Sequence, residues 1–183
     1  MLLDLSEIVI REGMRVKHQV DQPRVEDPDL VFTEPLLGTL TFENAGDLIN
    51  IRGRVESRLS IACNRCLEDV RVPLQLRVEE HFPIEEILHP DRQPAEGEDY
   101  DTTVSSVVYL DQGRPMLDLD ELLRQLIVAE LPIQTLCNDA CAGLCPTCGA
   151  NRNESPCTCE DAPRNTPLAG LVALLEQGNG RTE

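Results

Sequence analysis

Residues 49–78 read INIRGRVESRLSIACNRCLEDVRVPLQLRV, and this stretch decides the fold. Apolar and polar residues alternate over 49–63 and again over 70–78. Such alternation predicts strands with one buried face, because successive side chains of a strand point to opposite sides. The short polar pair Asn64–Arg65 between the two runs predicts the tip of an antiparallel hairpin.

The polar side of the predicted hairpin is rich in arginine. With the tip at Asn64–Arg65, Arg52 is expected opposite Arg77, and Arg58 opposite Arg71. Like charges directly opposite each other destabilise a sheet, so we predict an anionic counterpart. It is RNA phosphate, an acidic partner, or the chain's own acidic stretch 79–101, which holds nine acidic residues and one arginine. The predicted contact residues are Arg52, Arg54, Arg58, Arg71 and Arg77.

Further elements extend this hairpin into an α+β fold. Asp118 precedes an amphipathic stretch with Glu121 at capping-box spacing, which predicts a helix that ends before Pro132. The other predicted elements are a strand at 37–43 with a turn at 44–46, a loop at 83–101, a strand at 103–110 and a helix at 166–178. We expect an antiparallel β-sheet or a partly closed barrel, a covering helix and a Cys-rich, zinc-knuckle-like C-terminal segment.

The predicted domain boundary falls after the long helix. Residues 1–132 are expected to form the β-rich α+β domain, and residues 133–183 a Cys-rich metal-binding appendage with a short C-terminal helix. The chain is 41% hydrophobic but only 3% aromatic, without tryptophan, so its core must consist of leucine, valine and isoleucine.

Charge and hydropathy suggest the compartment and the partners. Asp4 and Glu7 interrupt the first apolar stretch, which argues against a secretory signal, and the apolar runs are shorter than the roughly 20 residues of a membrane span. We therefore expect a cytoplasmic protein without a membrane partner. The net charge of −17 suits basic protein partners, although it also simply aids solubility.

Eight cysteines stand in four pairs, which favours metal ligation in a reducing compartment. The CPTCG stretch at 145–149 has the form of a zinc knuckle, where proline and glycine let the loop turn tightly around the thiolates. A local Cys₄ site is predicted from Cys145, Cys148, Cys157 and Cys159. The pair at the hairpin tip is half a site, and a second one is predicted from Cys63, Cys66, Cys137 and Cys141. One or two structural zinc ions are thus expected.

Other fates of the cysteines stay open at this point. The second group can be free, partly buried thiols, and crossed pairings such as Cys63/Cys66 with Cys145/Cys148 are alternatives. Redox catalysis is disfavoured, because neither CxxC pair lies at a predicted helix N-terminus, where thiol pKa values fall. No nucleotide-binding or catalytic motif is found, so we expect neither enzymatic activity nor a small-molecule substrate.

Four motifs occur in an order that resembles the bacterial YceD-like family, the large ribosomal RNA subunit accumulation proteins. They are CNRCLEDVRVPL at 63–74, LDLDELLRQLIVAELPI at 117–133, LCNDACAGLCPTCGANRN at 136–153 and APRNTPLAGLVALL at 162–175. The last one departs from the family's more usual Asp-Pro-Arg opening. The resemblance implies a role in making or stabilising the large-subunit (23S) ribosomal RNA, without known enzymatic activity.

The functional expectation combines this resemblance with the predicted metal sites. We expect a non-enzymatic factor with structural zinc that supports the synthesis, processing or accumulation of large-subunit ribosomal RNA. Its expected partners are ribosomal proteins or ribosomal precursors, with RNA contact through the arginine face. The alternatives are a zinc-ribbon adaptor that binds basic proteins, such as transcription machinery, and a thiol redox sensor.

Overall fold

The computed structural model describes residues 1–25, 27–91 and 102–159. Its elements in chain order are β1 (Leu2–Asp4), α1 (Ser6–Val9), β2 (Arg15–Gln22), β3 (Val31–Phe32), β4 (Leu36–Asn44), β5 (Leu48–Ala62), β6 (Asp69–Pro83), α2 (Ile84–Leu88), α3 (Thr102–Val107), β7 (Val108–Asp111), β8 (Arg114–Asp118) and α4 (Leu119–Glu130).

The hairpin predicted from alternation is present as β5 and β6, which are 15 residues each and pair along their whole length. Their buried positions are the apolar ones, among them Ile51 and Val55 in β5 and Leu76 and Val78 in β6. The predicted register, however, is wrong. Ala62 pairs with Asp69, so a six-residue loop, Cys63–Glu68, replaces the two-residue tip.

The described strands form two antiparallel sheets. In the larger one, β2, β4, β5 and β6 lie side by side, and β3 pairs with β5 beyond the end of β4. The smaller sheet has the order β1, β8, β7. Neither sheet closes on itself within the described residues, so the structure is an α+β fold with antiparallel sheets, and the barrel alternative is not confirmed.

The helix after Asp118 is confirmed as α4. The Asp118 carboxylate accepts hydrogen bonds from the backbone N–H groups of Asp120 and Glu121, which satisfies the first turn. Glu121 bonds to Arg124 through both carboxylate oxygens, at 2.7 and 2.8 Å. The predicted apolar face is buried or partly buried and packs into the core: Leu119, Leu122, Leu123, Leu126, Ile127 and Leu131.

Two other sequence predictions change in the structure. The strand expected at 103–110 is helical up to Val107, and only Val108–Asp111 is extended. The expected loop at 83–101 begins with the short helix Ile84–Leu88, which buries Ile87. Residues 92–101 and the helix predicted at 166–178 lie outside the described residues.

The core agrees with the composition, since its buried residues are mainly leucine, isoleucine and valine, together with Phe42 and Phe82. The buried side chain of Asn44 links the end of β4 to α1. Asn44, in the predicted turn, donates to the carbonyl oxygens of Ile8 and Val9 at 2.6 and 3.1 Å and accepts from the Gly46 N–H at 2.8 Å. It thereby adds a partner for the Val9 carbonyl and a further one for the Ile8 carbonyl, which also accepts from the Arg11 N–H at 3.4 Å.

The chain divides into two compact units. One consists of Met1–Ala62 and Asp69–Thr135, and the other of Cys63–Glu68 and the chain from Leu136 onward. The hairpin loop is therefore part of the cysteine-containing unit. None of the described helices has the length and apolar character needed to cross a membrane.

Candidate metal centres

Four cysteines converge at the loop between β5 and β6. We call Cys63, Cys66, Cys137 and Cys141 the tip tetrad; their Sγ atoms all lie within 4.8 Å of one another. The Sγ atoms of Cys63 and Cys141 are 3.8 Å apart, and those of Cys66 and Cys137 are 3.6 Å apart. All members are buried except Cys137, which is exposed.

The other four cysteines form a second cluster. Cys145, Cys148, Cys157 and Cys159, the tail tetrad, also have Sγ atoms within 4.8 Å of one another. Only Cys145 is fully buried, while Cys148 is exposed. The structure thus brings together the two sets that spacing predicted, and the crossed pairing of the two CxxC motifs is not the arrangement found.

Both CxxC motifs adopt the same local turn. The Leu67 N–H donates to the Cys63 carbonyl at 3.0 Å, and the Gly149 N–H donates to the Cys145 carbonyl at 2.8 Å. The N–H groups of Cys63 and Cys145 each donate to the carbonyl five residues later, both at 2.8 Å. The turn requires a positive φ, which is 75° at Gly149 and 63° at Leu67, the costlier residue for this conformation.

This turn directs backbone amides at the first thiol of each motif. The N–H groups of Cys66 and Arg65 lower the pKa of Cys63 to about 6. Those of Cys148 and Thr147 lower the pKa of Cys145 to about 5. Both groups are therefore thiolates at neutral pH, the form that binds metal ions. Acidification should protonate them and weaken metal binding.

The second cysteine of the hairpin motif behaves in the opposite way. The Glu68 N–H lowers the pKa of Cys66, but burial and the neighbouring thiols outweigh it and raise the value to about 12. Four thiolates cannot share so small a space without a cation between them. The donor set itself therefore favours a bound cation.

The two clusters fit a tetrahedral ion. Four sulfurs at about 2.3 Å from a zinc ion would be about 3.8 Å from each other. The two Sγ separations in the tip tetrad, 3.8 and 3.6 Å, match this value. Each tetrad can therefore hold one metal ion with four protein ligands.

Sequence reasoning missed the side chains that contact the sulfurs. Asn153 donates through Nδ2 to Cys141 Sγ at 3.3 Å, and Asn138 donates to Cys137 Sγ at 3.4 Å. Arg65 donates to the Cys141 carbonyl at 3.0 Å. Asparagines beside the cysteine pairs are the only signal in the sequence, and they are equally typical of turns.

The predicted arginine face lies on strands β5 and β6. Arg52, Arg54, Arg58, Arg71 and Arg77 are all exposed residues of β5 and β6. Because the register differs from the prediction, Arg54 lies opposite Arg77, and Arg52 lies opposite Glu79. Arg58 is opposite Pro73 and pairs with Glu34 at 2.6 Å. One pair of opposed arginines therefore remains, Arg54 with Arg77, in place of the two pairs that were predicted.

Comparison with known protein families matches residues 51–175 to the family described as Large ribosomal RNA subunit accumulation protein YceD. The chain belongs to the YceD family. This confirms the resemblance noted in the four motifs. Both CxxC motifs and all ligands of both tetrads lie within the part of this YceD chain that matches.

Two plant relatives carry the same description in their names. A Zea mays protein named Large ribosomal RNA subunit accumulation protein YCED homolog 1, chloroplastic, is 30% identical over 161 residues, which are 75% of this chain and 53% of that protein. The Arabidopsis thaliana protein of the same name is 25% identical over 150 residues, 72% of this chain and 47% of that protein.

An uncharacterized protein of Mycobacterium bovis is 30% identical over 117 residues, 64% of this chain and 51% of that protein. This chain spans about half the length of the curated relatives that it matches. No solved structure matches it.

Proposed function

We propose that this protein supports the synthesis, processing or accumulation of large-subunit ribosomal RNA. The observation that carries the proposal is the family match over residues 51–175, together with the plant relatives whose names describe that role. Homologue names support the accumulation of the RNA; the step at which this chain acts is part of our proposal.

We further propose that each tetrad holds a structural zinc ion. Four thiolate ligands in a tetrahedral arrangement suit zinc, and a site with four protein ligands leaves no open position for substrate or water. When bound, the ion supplies a cross-link between chain segments. In the tip tetrad it would join the β5–β6 loop to the segment around Cys137 and Cys141, more than 70 residues away.

The two tetrads also suit a role without catalysis. All eight cysteines belong to the two tetrads, so an ion held by four protein ligands in each would leave none of these thiols free for catalysis. We therefore propose a binding factor that works with ribosomal proteins or ribosomal precursors in the cytoplasm, with neither a membrane nor a small-molecule substrate. All eight cysteines are unpaired, which fits a reducing compartment.

Depletion of the protein in its native host tests the proposed function. We expect the amount of large-subunit ribosomal RNA to fall relative to small-subunit RNA, and the tagged protein to co-sediment with ribosomal precursors in a salt-dependent manner. Re-expression of the full chain should restore the ratio. An unchanged ratio together with no co-sedimentation at any salt concentration would refute the proposal.

A further inference from the structure

The open face of the larger sheet carries a group of cations drawn from three strands. Lys17 in β2 pairs in register with Thr41, which pairs with Arg52. In the adjacent row, Arg54 lies between Thr39 and Arg77. Neighbouring strands are about 4.8 Å apart, so these side chains emerge side by side. We call Lys17, Arg52, Arg54 and Arg77 the basic band.

Most of this positive charge has no acidic partner in the structure. Within the described residues, Lys17, Arg52 and Arg54 make no ion pair, and only Arg77 does, with Glu79 at 2.6 Å. The cations that flank the band are neutralised: Arg15 pairs with Glu43 at 2.5 Å and Arg58 with Glu34 at 2.6 Å. Glu56 and Asp21 occupy the next row, where acidic residues limit the band.

One acid lies within the band, because Glu79 lies opposite Arg52 and pairs with Arg77, and a bound anion would stabilise the remaining cations. Arg54 and Arg77 are directly opposite, and like charges in this position destabilise a sheet. The band is also a local exception in a chain whose net charge is −17. The Thr41 hydroxyl lies between Lys17 and Arg52, and hydroxyl groups commonly contact phosphate oxygens. The Thr39 hydroxyl already donates to Gln19 Oε1 at 3.0 Å.

We propose that the basic band binds the phosphate backbone of RNA. This proposal rests on the proposed function, in which RNA is the polyanion that the protein would meet. The exposed residues of the four strands β2, β4, β5 and β6 are charged, polar or aliphatic, and the one aromatic ring among them is His81, which bonds to Asn50 at 2.5 Å. Aromatic platforms for base stacking are therefore missing from this face, and binding should be electrostatic and insensitive to sequence.

RNA binding by the full chain tests this proposal, measured as fluorescence anisotropy of a labelled oligouridine across a series of KCl concentrations. The band variant combines Lys17→Gln, Arg52→Gln and Arg54→Gln. We expect its affinity to fall at least about tenfold at low salt. The slope of log K against log salt should become shallower by about 2, because each lost phosphate contact removes about 0.7.

A charge-matched control variant combines Arg15→Gln, Arg58→Gln and Arg114→Gln, three exposed arginines that already have acidic partners. We expect it to bind oligouridine like the wild type. Equal losses in both variants, or no loss in the band variant, would overturn the proposal. The proposal would also fail if the band variant lost binding to polyglutamate but kept its binding to oligouridine, because the band would then bind an acidic protein. The depletion phenotype is scored separately, so failure of this proposal leaves the proposed function standing.

A second, independent observation concerns one loop that contacts both tetrads. The segment Asn151–Asn153 lies between Cys148 and Cys157, two ligands of the tail tetrad. The Arg152 N–H donates to the Gly143 carbonyl at 2.9 Å, and the Asn153 side chain accepts from the Ala142 N–H at 2.8 Å. These bonds hold the segment against the residues that join the two tetrads.

Its side chains reach the ligands on both sides. Asn153 Nδ2 donates to Cys141 Sγ of the tip tetrad at 3.3 Å, and Arg152 lies 3.8 Å from Cys145 Sγ of the tail tetrad. Asn151 donates to Glu68 in the hairpin loop at 3.4 Å. Donors to a metal-bound sulfur orient it and stabilise its charge.

We infer that the two metal centres bind their ions cooperatively, with Asn153 as the positioning residue that couples them. Metal binding in the tail tetrad would hold both ends of the loop and so keep Asn153 on Cys141. The coupling must be reciprocal, because each ion then raises the affinity for the other by the same factor. The inference rests on the proposed metal binding but not on the ribosomal role.

Titration of the metal-free full chain with Co²⁺ measures this coupling through the thiolate-to-cobalt absorption bands. The affinity of the tip tetrad is compared between the wild type and a variant that carries Cys148→Ser and Cys159→Ser. We expect a difference of about tenfold, the lower end of the effects of such second-layer contacts. When Asn153→Ala is added to both proteins, the ratio of their tip-tetrad affinities should fall from about tenfold to about one.

Asn138→Ala is the matched control. Asn138 also donates to a sulfur of the tip tetrad, at 3.4 Å, but it lies in that tetrad's own loop. We expect it to lower the affinity of the tip tetrad while leaving the tenfold difference unchanged. A wild type without any difference, or a difference that survives Asn153→Ala, would overturn the inference.

Discussion

Gly53→Ala should destabilise the protein by about 3 kcal/mol, because an added Cβ has no room. It would lie 2.1 Å from the Thr39 carbonyl oxygen and 2.9 Å from Leu40 Cδ2, inside the contact between β4 and β5. Backbone atoms of a paired strand cannot move aside without breaking the sheet. Thermal denaturation followed by circular dichroism should show a melting temperature about 6–12 °C below that of the wild type.

Gly38→Ala should behave in the same way, since its Cβ would lie 2.2 Å from the Arg54 carbonyl oxygen. Gly113→Asn is the control. Gly113 has a φ of 81° in the turn between β7 and β8, nothing lies within 4 Å of an added Cβ, and asparagine tolerates this conformation. A Gly53→Ala protein as stable as the Gly113→Asn control would contradict the close approach of β4 and β5.

Cys63→Ser should abolish metal binding at the tip tetrad and unfold the segment around Cys137 and Cys141. A structural zinc site supplies about 10–16 kcal/mol of apparent binding free energy, which is comparable to the whole stability of a domain. Cys63 is fully buried, so the serine hydroxyl that replaces its thiolate would have no access to water. Native mass spectrometry should find one zinc ion per chain where the wild type holds two.

Limited proteolysis should then show new cleavage within residues 136–144, the region that the lost ion no longer holds. The control is Cys159→Ser, which removes one partly exposed ligand of the tail tetrad. It should leave the tip tetrad able to bind metal, at an affinity lowered about tenfold by the proposed coupling. Two zinc ions in the Cys63→Ser protein, with wild-type resistance to protease, would contradict the tip tetrad as a metal site.

Much of the fold could be predicted, because its main signals are local. Alternation in residues 49–78 predicted β5 and β6, and Asp118 predicted the start of α4. Both depend only on the spacing of side chains along one strand or helix. The strand prediction for residues 103–107 was wrong for the same reason, because a short apolar run without clear periodicity fits either a strand or a helix.

The register of the hairpin shows where local reasoning ends. The Asn64–Arg65 tip was a sound prediction for a tight turn, but the CxxC turn spans Cys63–Glu68 and shifts the pairing by two residues. A shift of two keeps every side chain on its predicted face, which is why the burial pattern was right while the opposing arginines were not. Strand β2 carries little alternation because its outer part is exposed, so sequence reasoning missed it and, with it, Lys17 of the basic band.

The sequence by itself determined strands β4, β5 and β6 and the long helix α4, because spacing and backbone preference act over a few residues. It also favoured two sets of four cysteines while leaving crossed pairings of the CxxC motifs open. Only the tertiary structure decided that Cys63 meets Cys141 and Cys66 meets Cys137, and that Asn153 contacts one tetrad from the loop of the other. Contacts between residues more than 70 positions apart depend on how the whole chain packs, and no local pattern encodes them.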